Sequence, residues 1–170
     1  GSKRLSGQLS EPRAIKPPLR FIGPLSLFSG ISVKGYQSET VELLLLLSGP
    51  EPQRSILEKI LLERFGHSGS GTILIRGSCT KFQAGDYSIR IHDFLDEKEL
   101  APYLSNAKTV ICRSGYSTLM DLHASGETKI ILIPTPGQPE QEYLARYWSE
   151  HFGSGFCYQN EAKTCRFQAV

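Results

Sequence analysis

From Val41 onward the hydrophobic positions follow two alternating patterns. Short, nearly continuous apolar runs predict strands at Val41–Leu47, Thr72–Arg76, Ser88–His92, Thr109–Cys112 and Lys129–Ile133, with a last short strand near Phe156. Between them, apolar residues recur at helical spacing. Gln53–Phe65 carries Ile56, Leu57, Ile60 and Leu61 on one face, and further helices are predicted over Glu97–Ala107, about Ser117–Ser125 and about Glu140–Phe152. Strands this apolar have to be covered on both faces, and a helix between successive strands returns the chain to the same edge of the sheet. The pattern therefore predicts a doubly wound α/β domain with a parallel sheet. Ligands in such domains bind outside the carboxyl ends of the strands, so the loops after each strand are where chemistry is expected.

Before Val41 the pattern breaks down. Lys3–Pro18 is basic, polar and proline-containing, and Gly23-Pro24 and the polar stretch Ser29–Thr40 follow it. This reads as a linker, dividing the chain into a scar, linker and interdomain segment over residues 1–40 and a domain over residues 41–170. Gly1-Ser2 is a common cloning scar and no initiator Met follows, so a piece of a longer protein is expected. The 170 residues suffice for one core, and 39% hydrophobic with 21% charged residues is the composition of a folding chain. A net charge of +2 from interspersed basic and acidic residues builds no field for general nucleic-acid binding, so any phosphate contacts have to be local. Leu43–Leu47, the longest apolar stretch, is far short of the roughly 20 residues that cross a bilayer. Cys79, Cys112, Cys157 and Cys165 have no metal-ligand spacing, so neither a disulfide framework nor a metal site is expected.

Four loops carry candidate chemistry. After the fourth predicted strand, Arg113-Ser114-Gly115-Tyr116-Ser117-Thr118 runs into a helix, where backbone N–H groups are unsatisfied and suit an anion. Gly115 permits close approach of a phosphate, and Ser114, Ser117 and Thr118 offer hydroxyl donors. Thr118 and Asp121 also have capping-box spacing, so ordinary capping and ligand binding both stand on the sequence. A helix N-terminus contributes about 0.3 to 2 kcal/mol, whereas micromolar binding needs about 8 kcal/mol. Other loops must therefore share the ligand. Ser48-Gly49-Pro50-Glu51-Pro52-Gln53-Arg54 reads either as a second phosphate wall or as a rigid turn with Pro in the first helical turn. Phe94 and Leu95, after the third strand, form either a nucleobase slot or a staple for the next helix. Pro134–Glu142 is proline-stiffened and dense in amides and carboxylates that suit hydroxyl-rich ligands such as sugars, or it is a solvent-facing helix start.

Other motifs are absent or out of context. Gly66, Gly69 and Gly71 follow a helix and precede a strand, the reverse of a dinucleotide fingerprint, and read as a connector. His67, His92, His123 and His151 have no ligand spacing, and no general base is identifiable, so the catalytic residue is unassigned.

Arg113-Ser114-Gly115 with Thr118 and Asp121, followed by the Pro134 loop with Gln138, Glu140 and Gln141, resembles the C-terminal donor-binding domain of the family 28 glycosyltransferases of GT-B fold, the MurG-like group. The resemblance implies a Rossmann-like sheet and a UDP-sugar donor carrying a hexose of the N-acetylglucosamine type. It implies that Ser114, Gly115, Tyr116, Ser117 and Thr118 hold the diphosphate, with Arg113 at the head of the same loop among the substrate-binding residues and Gly49 in a sparser phosphate loop. Asp121 would take the ribose hydroxyls, Phe94 and Leu95 the uracil, and Gln141 and Glu142 the donor sugar, with Gln138 of the same loop also among the substrate-binding residues. Gly23-Pro24-Leu25-Ser26-Leu27 stands where the family has its interdomain linker, without the Arg found there.

The expected function is therefore donor recognition in an inverting, metal-independent glycosyltransferase without cofactor. An N-terminal domain outside this chain would supply the acceptor site and base. Cytoplasmic localisation is expected, with peripheral attachment to the inner membrane face through that other domain. The alternatives are a UDP-sugar 2-epimerase of the same architecture, or a noncatalytic donor-binding subunit of a split transferase.

Overall fold

The structure is a computed structural model that describes residues 4–10, 20, 23, 25, 26, 28, 40–83, 85–126 and 128–165. In chain order its elements are β1 (Val41–Leu46), α1 (Gln53–Phe65), β2 (Thr72–Ile75), β3 (Arg90–His92), α2 (Glu97–Asn106), β4 (Ala107–Cys112), α3 (Tyr116–Ser125), β5 (Lys129–Leu132), α4 (Pro139–Phe152) and β6 (Gly155–Phe156). The strands lie in the order β3-β2-β1-β4-β5-β6, and every neighbouring pair is parallel. The chain thus starts in the middle of the sheet, winds out one way and then the other, as a doubly wound α/β domain does. The order reverses between β1 and β4, where Leu44 pairs with Val110 and Leu46 with Cys112.

Alternation of side chains across a strand explains why β1 is almost unbroken leucine. Leu44 joins Ile73, Val110, Cys112 and Leu132 on the face covered by α2, α3 and α4, while Leu45 and Leu47 join Leu74, Ile111 and Ile131 on the face covered by α1. Each such leucine contributes about 1.5 to 3 kcal/mol by leaving water.

Helix α1 has the expected bounds but not the expected face. Leu57, Leu61 and Leu62 are buried together with Arg54 and Glu58, whereas Ile56 is 42% exposed and Ile60 only partly covered. The inward stripe has helical spacing, but two of its positions are charged. They are buried because they are paired: Arg54 Nη1 lies 2.5 Å from Glu58 Oε2, and Glu58 Oε1 lies 2.8 Å from Arg76 Nε at the end of β2. Arg76 continues the chain, with Nη1 at 2.5 Å from Asp93 Oδ1 and 2.8 Å from Thr80 O, and its guanidinium over the Phe82 ring. Burial alone would depress the Arg76 pKa, yet the hydrogen bonds it donates to Glu58 and Asp93 hold it above the ordinary value. This network organises the β2-to-β3 crossover, which has no helix among its described residues.

The segment read as a linker is not all free. Residues 11–19 lie outside the described residues, but Arg4–Ser10 packs on α4. Trp148 Nε1 donates to Leu5 O at 2.8 Å, Tyr147 Oη to Arg4 O at 2.7 Å, and Gln8 N to Tyr143 Oη at 2.8 Å. Gly7 has φ +53° and faces the Tyr143 hydroxyl so closely that no Cβ fits. The bonds use backbone groups of the segment, which composition does not reveal. Pro24 and Leu27 of the expected interdomain motif lie outside the described residues; Ser26 and Phe28 pack on the domain.

Glu58 neutralises two buried guanidinium groups at once. Glu58→Ala is therefore expected to destabilise the fold by about 3 to 5 kcal/mol in urea unfolding, because both cations lose a buried partner.

Candidate functional site

In an all-parallel sheet every strand ends at the same edge. The loops after β1, β3, β4 and β5 consequently gather there, with those of β1 and β4 flanking the point where the strand order reverses.

Arg113 follows β4 directly and is 1% exposed. Its Nη1 donates to Ile133 O at 3.2 Å and Pro134 O at 3.1 Å, and its Nη2 to Gln53 O at 2.7 Å and Gln159 Oε1 at 2.5 Å. Burial pushes its pKa down to about 10, so it stays cationic at neutral pH among neutral oxygens. This corrects the expectation that the Arg113 side chain binds substrate: it points into the protein and ties four segments together. Ser114 is corrected in the same way. It is fully buried, and its Oγ donates to Gln141 O at 2.7 Å, fixing the start of α4 against the β4 loop.

Behind these anchors, Gly115 is the N-cap of α3, with φ −70° and ψ 143° and no side-chain cap hydrogen bond. The Thr118–Asp121 capping box does not form, because α3 begins at Tyr116 and Thr118 already lies inside its first turn. Nor does the first turn of α3 carry an acidic residue. Tyr116 and Ser117 are exposed at this end, and Thr118 is half-buried. Its N–H groups and dipole face the sheet edge without a carboxylate from the helix itself.

Thr118 and Asp121, one turn apart on α3, line a cavity of about 160 Å³ with Leu46 and Ser48 from the β1 end, Leu100 of α2, and Phe28. Asp121 Oδ1 accepts a hydrogen bond from Ser26 Oγ at 2.7 Å. Asp121 therefore stands where a carboxylate can receive hydroxyl donors, and a serine hydroxyl already donates to it.

The β1 loop does not form a second phosphate wall. Gly49 is open to solvent at φ +100°, but Glu51 folds back over the start of α1, its Oε2 accepting from Ser55 N at 3.2 Å and its Oε1 from Arg54 Nε at 2.7 Å. Hydrogen bonds from Ser55 and Arg54 hold the Glu51 carboxyl below its usual range. A carboxylate thus already sits at the α1 N-terminus, and Arg54 points inward to Glu58.

Phe94 and Leu95 divide between the two readings of their loop. Leu95 packs on the core beside Leu100 as a helix staple does, and Asp96 and Glu99 form a full capping box that the sequence reading missed. Phe94 is 63% exposed, with its ring free at the sheet edge.

In the loop after β5, Gln141 Oε1 accepts from Thr135 N at 2.9 Å and Gln141 Nε2 donates to Gln138 Oε1 at 2.6 Å. Both amides brace the loop. Glu142 lines a different cavity, of about 490 Å³, with Pro134, Pro136, Tyr158 and Gln159. That cavity shares no lining residue with the one at Asp121, so the structure separates Glu142 from Asp121. The sequence reading also missed Gln159, which accepts from Arg113 and donates to Gln53 Oε1 at 2.8 Å. Its position just beyond the short strand at Phe156, at the same sheet edge, was the available signal.

This fold recurs in glycosyltransferases. The chain is similar to CalG4, the calicheamicin glycosyltransferase, with TM-score 0.60, 13% identity and coverage of 84% of this chain and 36% of that one. It is similar to the glycotransferase of kitacinnamycin, with TM-score 0.58, 14% identity and coverage of 82% and 36%. It is also similar to the glycosyltransferase SnogD from Streptomyces nogalater, with TM-score 0.53, 12% identity and coverage of 88% and 37%. The chain spans little more than a third of the length of each of these proteins. Among curated proteins no sequence matches it. Residues 76–169, more than half of the chain, match the glycosyltransferase family 28 C-terminal domain, and the chain belongs to that family.

Replacing Arg113 by Met keeps much of its volume and removes all its donors. The expected cost is about 3 kcal/mol or more in urea unfolding, from carbonyl and amide oxygens left buried without partners. Ser114→Ala, which breaks a single hydrogen bond, is expected to cost about 1 kcal/mol by the same measurement.

Proposed function

We propose that this chain is the donor-binding domain of an inverting glycosyltransferase and that it takes a UDP-sugar carrying a hexose of the N-acetylglucosamine type. The observation that carries the reading is the α3 N-terminus: it opens at the reversal point of the strand order, with Gly115 at its cap and neither a side-chain cap nor an acidic residue in its first turn. The N–H groups of Tyr116, Ser117 and Thr118 and the hydroxyls of Ser117 and Thr118 take the diphosphate. Asp121 takes the ribose hydroxyls in exchange for Ser26. Phe94 covers the uracil while main-chain groups at Leu95 read its edge. Gln138 and Gln141 stiffen the loop that meets the sugar, and Arg113 and Ser114 hold the site from behind. Gly49 borders the site without adding an anion wall, since Glu51 already sits on α1.

Negative charge develops on the diphosphate as the glycosidic bond breaks, and helix amides aimed at it stabilise that charge without a metal cofactor. The acceptor and its general base belong to a second domain, in keeping with the fraction of the similar enzymes that this chain spans. The reading places the enzyme in the cytoplasm, with any hold on the inner membrane face made by that second domain. Among the described residues no helix is long and apolar enough to cross a membrane.

Titration of the 15N-labelled chain with UDP tests the reading. Shifts are expected at Gly115, Ser117 and Phe94, larger than with AMP or phosphate at equal concentration; no UDP-dependent shifts at those positions would overturn it. Asp121→Ala is expected to weaken UDP about tenfold, or about 1.4 kcal/mol, and to leave inorganic pyrophosphate binding unchanged. Equal losses for both ligands would remove Asp121 from the ribose role.

A further inference from the structure

We infer that Cys157 and Cys165 form a redox pair that a low-molecular-weight disulfide, such as glutathione disulfide, converts to an intramolecular disulfide. Cys157 follows β6 and is buried among Leu57, Leu61 and Ala162, and Cys165 is half-buried against the same cluster. The two side chains share one apolar cluster, Cys157 inside it and Cys165 packed against it, near enough for Cys165 to weigh on the Cys157 thiol. The backbone between them is folded so that the two stay together. Glu161 N donates to Tyr158 O at 3.0 Å, Ala162 N to Gln159 O at 3.3 Å, and Cys165 N to Glu161 O at 2.8 Å. Arg64 of α1 fastens this turn by donating to Ala162 O at 2.6 Å and Cys165 O at 2.5 Å. Cys79 lies exposed in the β2–β3 loop and Cys112 is enclosed in the sheet.

Exchange runs in two steps. The more accessible Cys165 thiolate attacks one sulfur of glutathione disulfide, forming a mixed disulfide and expelling a glutathione thiolate. The Cys157 thiolate then attacks the Cys165 sulfur and expels the second glutathione. The protein gives up two protons and two electrons, and one glutathione disulfide becomes two glutathiones. Burial, with Cys165 and Glu161 beside it and against the opposing pull of Arg64, pushes the Cys157 thiol up to about 12. The second step is therefore slow at neutral pH and accelerates as the thiolate fraction grows.

The test uses the full chain carrying Cys79→Ser, incubated with glutathione disulfide without denaturant and followed by intact mass. The expected product is lighter than the reduced chain by about 2 Da, yields a peptide linking Cys157 to Cys165, and forms from its glutathione adduct about tenfold faster at pH 8 than at pH 7. Cys165→Ser in the same background is expected to show no such loss. A glutathione adduct on Cys165 that persists unresolved, a linked peptide that forms only in denaturant, or no reaction at all would each overturn the inference.

Discussion

The carboxyl edge of this sheet depends on one buried cation. Arg113 leaves β4 and turns inward, and its guanidinium meets carbonyls that follow β5, the first residue of α1 and an amide beyond β6. A planar group with several fixed donors can satisfy acceptors in different directions, which a lysine ammonium does less well. Because those acceptors belong to separate loops, the same contacts set where each loop leaves the sheet. Ser114 extends the arrangement to α4, and Gly115 follows with its position already determined on one side. The start of α3 is thus held by side chains whose hydrogen bonds all go to the protein itself.

The four main helices end differently at this edge, and the differences narrow where an anion can rest. Glu51 lies over the start of α1, Asp96 caps α2, and the first turn of α4 carries Glu140 and Glu142. Only α3 among these has neither a carboxylate over its start nor a side-chain cap. Three helix starts are thus occupied or negatively biased, and one keeps its positive end. The family to which the chain belongs is one of glycosyltransferases, and the open helix end lies within the residues that match it.

The strands and helices were legible because burial on two faces leaves a strong mark: five leucines in a row at Leu43–Leu47 have few other uses in a chain of this composition. The face of α1 was not, because Arg54 and Glu58 are buried as a pair and pattern reading assigns charge to solvent. The same limit applied at the edge. The motif around Gly115 could be recognised, but whether Arg113, Ser114 and Gln141 face a ligand or one another depends on partners as distant in sequence as Gln53 and Gln159, which no local window contains. Glu51 illustrates the reverse case: its partner Ser55 N lies only four residues on, within any local window, yet the reach back to it is decided by the turn geometry.

The clasp between the first described residues and α4 has an optical consequence. Trp148 is the sole tryptophan, and its indole N–H is committed to the Leu5 carbonyl. The sole tryptophan is therefore wired to one of the contacts that join the first described residues to α4. Loosening of that segment registers in the emission spectrum while the leucine-rich centre of the sheet is still intact, so the molecule carries its own reporter of partial opening.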